Sequence, residues 1–210
     1  MAVTVININD TMIDSGNTTT GYGTDSTAIV GWTSTGSIKR RMLLKFDPAE
    51  ITAGNVTVEL GVYAEGGSGS AQQFDIHLLD DETTHDFSEA TSGAGATANW
   101  DNYQPALAWG TAGGDFLASP KVSADMRLAS GFTLAAYNYF DITDLWTTWQ
   151  GLSLTYFALT IKHTTESGST GSWTFNMREG GGDGCILRVT QILSGTSMNE
   201  MVGNIGVNIV

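Results

Sequence analysis

Short segments of alternating apolar and polar residues, separated by turns rich in Gly, Ser, Asn and Thr, recur along this chain of 210 residues. In VTVELGVYAE at 56–65, Val56, Val58, Leu60 and Val62 share one face, which is typical of a strand with one buried side. About nine such segments predict an all-β fold, an antiparallel β-sandwich of jelly-roll type. They span 3–8, 27–33, 40–47, 56–65, 72–80, 133–143, 155–164, 171–179 and 185–193.

One stretch, DITDLWTTWQG at 141–151, has a helical period instead. Its apolar residues at helical spacing are Leu145, Trp146 and Trp149. Thr143 or Asp144 is the expected N-cap, and Gly151 is the expected end. The sequence therefore predicts one short helix beside the sandwich.

A loop is expected from about 81 to 120, and it contains NWDNYQPALAWGTAGGDF at 99–116. The segment is rich in aromatic residues but has neither a helical period nor strict alternation. A connection of this length is functional, packed on itself, or both. Its aromatic rings either fold back on the core or hold a ligand.

The charge balance limits the partners of the chain. Nine Lys and Arg stand against 22 Asp and Glu, giving a formal charge of -13. Nucleic acid is therefore not expected as a partner. A strongly anionic polysaccharide is also disfavoured unless Lys and Arg cluster locally.

Cys185 is the one cysteine, so no intrachain disulfide forms, and its apolar surroundings in GCILRVT predict a buried, inert thiol. The N-terminus, MAVTVININD, has no basic region followed by an apolar run, so no signal peptide is expected. No stretch approaches the 18 apolar residues of a membrane span, and no membrane partner is expected.

Motifs for catalysis or metal binding are weak. The chain has no HExxH, GxSxG or GxxxxGK[ST] sequence. Glu82 and His85 have di-iron spacing but lie in a polar loop, so a solvated loop is favoured. Asp14, Asn17 and Asp25 offer oxygen ligands for calcium without EF-hand spacing, so a structural turn is favoured. We expect no catalytic residue, no metal and no cofactor.

Five segments occur in an order that resembles the DNRLRE-type domains, which look similar to disaggregatase-related repeats and to a family of carbohydrate-binding modules. They are TMIDSGNTTTGYGTDSTAIVG, RRMLLKFDPAEI, DFSEATSGAGATANWDNYQPALAWGTAGGDF, YFDITDLWTTWQ and FNMREGGGDGCILRVT, and they cover roughly residues 10–190. The resemblance implies a jelly-roll β-sandwich without catalytic machinery. Phe87, Met177 and Cys185 depart from the pattern, as apolar replacements that leave the fold intact.

The resemblance also bears on the aromatic loop. In the family a TW-N…W…GGDF loop recurs whatever the ligand, which favours packing of Trp100 and Trp109 of this chain over one edge of the sandwich. Gly113 and Gly114 would then supply the tight turn.

The leading functional hypothesis is a non-catalytic bacteriophage virion surface protein, most simply a capsid decoration (cement) protein made in the host cytoplasm. Related domains occur in secreted proteins, whereas this sequence shows no export signal, and release by lysis after virion assembly would replace export. Residues 1–193 would form one domain, and the tail at 194–210 would make inter-subunit contacts. The expected partners are the chain itself, as a homotrimer, and the major capsid protein or another virion protein. The expected assembly contacts are Val3, Val5, Ile205, Val207 and Ile209.

The alternative hypothesis is a carbohydrate-binding module of a secreted polysaccharide-active or cell-surface protein, with an extracellular location. Aromatic rings would then stack on sugars. The candidate contacts with a glycan or partner are Tyr22, Trp32, Trp100, Tyr103 and Trp109.

Overall fold

The computed structural model describes residues 2–6, 9–33, 37–51, 56–69, 73–80, 86–89, 93–94, 98–125, 132–167, 171–180 and 184–191. Fifteen strands and one α-helix lie in these ranges. The strands are β1 (Ala2–Ile6), β2 (Asn9–Asp14), β3 (Thr20–Gly21), β4 (Thr27–Thr33), β5 (Ile38–Phe46), β6 (Val56–Gly69), β7 (Gln73–Leu79), β8 (Gly93–Ala94), β9 (Asn102–Gln104), β10 (Leu107–Ala108), β11 (Phe116–Asp125), β12 (Ala136–Asp141), β13 (Phe157–His163), β14 (Gly171–Asn176) and β15 (Ile186–Gln191). The helix is α1 (Thr143–Leu152), and short 3-10 turns lie at Pro48–Glu50 and Arg178–Gly180.

Eleven strands form one antiparallel sheet in the order β1-β15-β6-β14-β4-β5-β13-β7-β11, with β12 beside β6 and β2 beside β5. The sheet curls, so that β1, β15, β6 and β12 form a first layer and β2, β5, β13, β7 and β11 form a second layer. Strand β6 starts the curl because its first half pairs with β15 and β12, whereas its second half pairs with β14. The predicted all-β sandwich is confirmed.

The main core lies between the two layers. Alternate residues of β6, among them Leu60 and Val62, are fully buried in one cluster with Leu44 and Phe46 of β5. Cys185 is buried in the same cluster, and burial raises the pKa of its thiol, as expected of an inert cysteine.

Helix α1 contacts β6, β7 and β11 and buries Leu145 and Trp146. Trp149 stacks on Trp146 with their ring centroids 4.8 Å apart. The helix begins at Thr143, and no side chain caps its N-terminus. It ends at Leu152, and the next residue, Ser153, adopts a left-handed conformation. The expected cap at Thr143 or Asp144 and the expected end at Gly151 were therefore each placed slightly wrongly. No helix in the described ranges is long and apolar enough to cross a membrane.

A smaller second core covers the outer face of the second layer. Ile13, Leu43, Leu79 and Ala158 point outward from four strands and meet a group of residues from the long connection. That group is Phe87, Ala98, Trp100 and Trp109. The aromatic loop therefore packs on the sheet, as the sequence favoured.

The structure differs from the sequence-based prediction in the extent of one strand and in six further strands. Strand β6 continues through Gly69, beyond the segment predicted at 56–65. Strands β2, β3, β8, β9, β10 and β11 were not predicted, and β8, β9, β10 and part of β11 lie in the expected 81–120 loop. Glu82, His85 and the tail at 194–210, with Ile205, Val207 and Ile209, lie outside the described residues.

Candidate functional site

The rings of the aromatic loop point inward. Trp100 and Trp109 are 8% and 5% exposed, and Trp109 Nε1 donates to the Asn99 carbonyl at 2.8 Å inside the second core. Tyr103 is half-buried, with its ring centroid 5.6 Å from that of Trp109. These two tryptophans therefore present little ring surface to a sugar.

The turn after these rings needs glycine. Gly113 and Gly114 have φ values of 92° and 99°, in the region that favours glycine. A Cβ atom at Gly113 would lie 2.6 Å from Trp100 Cζ2. The predicted role of the two glycines in a tight turn is confirmed.

The remaining residues expected from the sequence are scattered. Trp32 is 7% exposed in β4, and Tyr22 is half-buried against the main core. Val5 of β1, which pairs with β15 of the same chain, is 3% exposed because its side chain packs in the main core. The side chain of Val3 lies outside the described part of the protein. The structure thus brings Trp100, Tyr103 and Trp109 together and leaves the others apart.

The expected structural turn near Asp14 is confirmed. Asp14 Oδ1 accepts from Gly16 N at 2.7 Å, and Asp14 Oδ2 accepts from Arg40 Nε at 2.8 Å. Both carboxylate oxygens are therefore committed to the turn and to β5.

An open cavity of about 350 Å³ lies beside the second core, where β5 ends. Its lining residues are Asn9, Lys45, Asp86, Phe87, Ser88, Glu89, Gln104 and Pro105. They come from β2, from β5, from the segment 86–89, and from the end of β9 with the following Pro105, which are far apart in the sequence. The volume is near the lower end of the roughly 300–1,000 Å³ found for small-molecule sites.

Lys45 organises the cavity. Its side chain is 6% exposed, and its Nζ donates to Asp86 Oδ1 and to the Phe87 carbonyl, each at 3.0 Å. The ammonium also lies over the rings of Phe87 and Tyr156, at 5.3 and 4.8 Å from their centroids. Gln104 Nε2 donates to the Asp86 carbonyl at 2.6 Å. These bonds hold the segment 86–89 in place.

Behind the cavity, Glu89 turns its carboxylate inward. Glu89 Oε2 accepts from Asp10 N at 3.0 Å, and Glu89 Oε1 accepts from Arg178 Nη2 at 2.8 Å. Burial raises the pKa of Glu89 to about 7, with the nearby Asp10 and Glu179 carboxylates adding to the shift against the pull of Arg178.

Asp10, Glu89 and Glu179 each place a carboxylate oxygen within 4.8 Å of the others, so this group has the donor type that calcium prefers. Arg178 already lies among them, because its Nη2 is 2.8 Å from oxygens of both Glu89 and Glu179. The guanidinium thus supplies the positive charge that a cation would bring.

A polar strip lies on the same face of the second layer, past the aromatic loop. Lys162 pairs across the sheet with Asp75, and Thr160 with His77. Burial alone would raise the pKa of Asp75. Hydrogen bonds to its carboxylate, such as the one from Lys121 Nζ at 2.7 Å, outweigh burial and lower this pKa. Burial lowers the pKa of both Lys162 and His77.

Arg41 joins the polar strip to the aromatic loop. It binds both carboxylate oxygens of Glu166 at 2.7 and 2.6 Å and donates to the Gly113 carbonyl. The strip is therefore a local cluster of Lys and Arg, but Arg41 and Lys121 are neutralised by carboxylates, while Lys162 is buried and donates to the His163 carbonyl. The Lys121 side chain is 41% exposed, but its ammonium is paired with the buried Asp75, which reduces its attraction for an anionic polysaccharide.

The model of carbohydrate-binding module family 96 matches residues 1–191. The chain belongs to this family. The match covers the sandwich and both candidate regions, the cavity and the polar strip. A search of curated proteins finds no match.

As a family 96 module, the chain is a binding domain of a non-catalytic type, which supports the alternative hypothesis rather than the virion hypothesis. The resemblance to carbohydrate-binding modules is confirmed at that level. The cavity residues Lys45, Asp86 and Gln104 were not predicted, because single polar residues on three separate segments carry no local pattern.

Proposed function

We propose that this family 96 module binds a short segment of a neutral glycan in the cavity beside Lys45. The observation that carries the proposal is an open cavity of about 350 Å³ in which planar polar groups converge. Amide and carboxylate groups such as those of Gln104 and Asp86 bind adjacent sugar hydroxyls, and Pro105 adds an apolar surface. Lys45 holds the Asp86 carboxylate, and the Asp86 carbonyl holds the Gln104 amide, so less entropy is lost on binding.

The charge of the cavity favours a neutral ligand. Asp86 already neutralises Lys45, and the chain carries a net charge of -13. A uronic acid or sulfated sugar would be repelled and would lose hydration without gaining an ion pair. The affinity is therefore expected to change little between low and physiological salt.

Binding rather than hydrolysis fits the two carboxylates near the cavity. Asp86 is 53% exposed, but the side chain of Glu89 is 2% exposed and turned toward Asp10 and Arg178. Glycoside hydrolysis needs two carboxyl groups that both reach the bond. Only Asp86 meets that condition here.

The test is calorimetric titration of the full chain with neutral oligosaccharides of two to six sugars. Gln104→Ala should weaken the affinity about tenfold or more, which is about 1.4 kcal/mol. The matched control is Gln150→Ala, an exposed position on α1. Silence toward every neutral oligosaccharide, or equal affinities for Gln104→Ala and the unaltered chain, would rule out this site.

The virion hypothesis, with its trimer, capsid partner and virion location, stays a separate prediction that no observation above supports. It requires self-association that depends on residues 194–210. Light scattering of the full chain and of a chain ending at residue 193 measures this directly. The hypothesis is contradicted if both chains have the mass of a monomer.

A further inference from the structure

The eleven-stranded sheet has two ends, and the strands at these ends differ in chemistry. Strand β1 forms one end and β11 forms the other. Among the described residues, β1 pairs only with β15, and β11 pairs only with β7. The outer edge of such a strand presents a row of backbone N–H and C=O groups, which is a template for pairing with a further segment.

The β11 edge is protected against an added strand. Pro120 has no N–H to donate, and the next residue, Lys121, carries a charge on a side chain that is 41% exposed. The register with β7 also shifts between Phe116 and Lys121. Proline, lysine and a bulge are devices by which natural proteins keep edge strands from pairing. The other two strands of this sheet with a single partner, β2 and β12, both contain aspartate.

The β1 edge has none of these features. Its sequence, AVTVI, contains no charged residue, no proline and no glycine, and the first charged side chain of the protein is that of Asp10. Its pairs with β15 follow one register without a shift. Val5 packs in the main core, so the strand is held against the sandwich. A regular, uncharged edge rich in β-branched residues is suited to accept another strand.

The chain leaves the sheet beside the start of this edge. Thr190, near the end of β15, pairs with Ala2. Neighbouring strands lie about 4.8 Å apart, so a strand on the outer edge of β1 would lie roughly 10 Å from β15. Ten residues span up to about 33 Å, so residues 192–201 are long enough to pass the start of β1. A segment that makes this passage then runs from Ala2 toward Ile6, parallel to β1.

The segment at 202–210 has the sequence pattern of a strand. In VGNIGVNIV, Ile205, Val207 and Ile209 alternate with Gly206 and Asn208, which is typical of a strand with one apolar face. The segment contains no charged side chain and no proline. A place beside β1 would remove part of its apolar surface from water, which is favourable.

We propose that residues 202–210 add a strand to the outer edge of β1 in the same chain, parallel to β1, and so close this end of the sheet. Main-chain hydrogen bonds supply the attraction, as in other cases of strand addition. The added strand covers the β1 edge and keeps other polypeptides from pairing with it. This inference does not depend on the cavity or on a glycan.

A second copy of the chain is a weaker competitor for the same edge. Each copy carries a net charge of -13, so copies repel one another at low salt. A segment tethered by a short flexible connection instead acts at an effective concentration in the millimolar range. The tail at 194–210 would therefore prevent association of copies, whereas the virion hypothesis requires the same residues to promote it.

The test is hydrogen exchange of the β1 amides in the full chain, followed residue by residue by NMR. Along an edge strand, alternate amides point toward the neighbouring strand and toward the outer edge. The outward amides of β1 should exchange slowly in the unaltered chain. The amides that bond to β15 serve as an internal control, because they report whether the sandwich itself stays folded.

The variant that removes the added strand carries Gly206→Pro and Val207→Pro together. One of two successive amides must face β1, and proline at both positions removes it in either register. The outward amides should then exchange at least about tenfold faster, while the amides bonded to β15 keep their rates. Thr196→Pro with Ser197→Pro, in the connection, is the matched control and should leave the outward amides protected.

Three results would overturn the inference. Outward amides that exchange as fast as those of an unfolded peptide would show that nothing covers the edge. Equal protection in the 206–207 variant and the unaltered chain would show that another segment covers it. Light scattering of the same samples checks the occupant, because a dimer or larger assembly whose outward amides lose protection on dilution would place the strand of a second copy on β1. Protection in a monomer that depends on residues 206 and 207 supports the inference.

Discussion

Glu89 provides a pH dependence that can be tested at a single residue. Its side chain is 2% exposed beside Asp10 and Glu179, and its pKa in the folded chain is raised from 4.5 to about 7. The folded state therefore keeps a proton that the unfolded chain releases. The stability from Glu89 is fully present below pH 4.5 and is lost as the pH rises through 7, by an amount on the order of 2 kcal/mol.

Urea unfolding of the chain between pH 4.5 and 8 measures this loss. Glu89→Gln keeps the shape without titrating, so its free energy of unfolding should fall much less over the same range. The depressed pKa of Asp75 acts in the opposite sense and at lower pH, because stability from a depressed carboxyl is lost as the pH falls. Parallel curves for the two proteins would show that Glu89 is ionised in the folded state.

At the scale of elements, two glycines give opposite predictions. Gly113, at φ 92° and with Trp100 in contact, should resist substitution, and Gly113→Ala should cost about 1–3 kcal/mol. Gly151 lies in α1 with nothing within 4 Å of a Cβ position, so Gly151→Ala should stabilise by about 0.5–1 kcal/mol. Thermal and urea unfolding of both variants test the pair, and a neutral Gly113→Ala would mean that the turn can rearrange.

Strands with ordinary alternation were predictable, whereas four short strands of two or three residues (β3, β8, β9 and β10) and the longer strands β2 and β11 were missed. The two longer strands have particular physical reasons. Strand β4 was predicted with its bounds exact to the residue. Strand β2 buries Asp10, Thr11 and Asp14, polar residues that a sequence pattern assigns to the surface. Strand β11 lies at the sheet edge, where Pro120 is tolerated although it cannot donate to a neighbouring strand.

The sites were less predictable than the strands, for reasons of register. The packing role of Trp100 and Trp109 followed from the loop pattern. The outward placement of Tyr139 did not, because alternation in AYNYFD shows that two faces exist but not which one meets the core. Pairing with β6 decides this, and it places Tyr139 outside over Gly61.

At the scale of the whole molecule, most positive side chains are paired with carboxylates, whereas many carboxylates have no positive side chain to balance them. Ion pairs in the described ranges engage Arg40, Arg41, Lys45, Lys121, Arg178 and Arg188, which are six of the nine Lys and Arg. Many acceptor carboxylates of these pairs are buried, such as Asp14, Asp75 and Glu89 with side chains 2–3% exposed. The excess negative charge is therefore left on the surface.

This distribution predicts that salt stabilises the protein. Salt screens exposed charges far more than buried pairs, so it weakens the surface repulsion and largely spares the ion pairs. Raising NaCl from about 0.01 M to about 0.15 M shortens the screening length from about 30 to about 8 Å. We expect the free energy of unfolding to rise by an amount on the order of 1 kcal/mol, or about 2–4 °C in Tm.

Choline chloride at equal ionic strength should give the same shift in Tm, because screening does not depend on the cation. A shift seen with NaCl alone would indicate specific sodium binding, and a fall in Tm would mean that the ion pairs outweigh the surface repulsion.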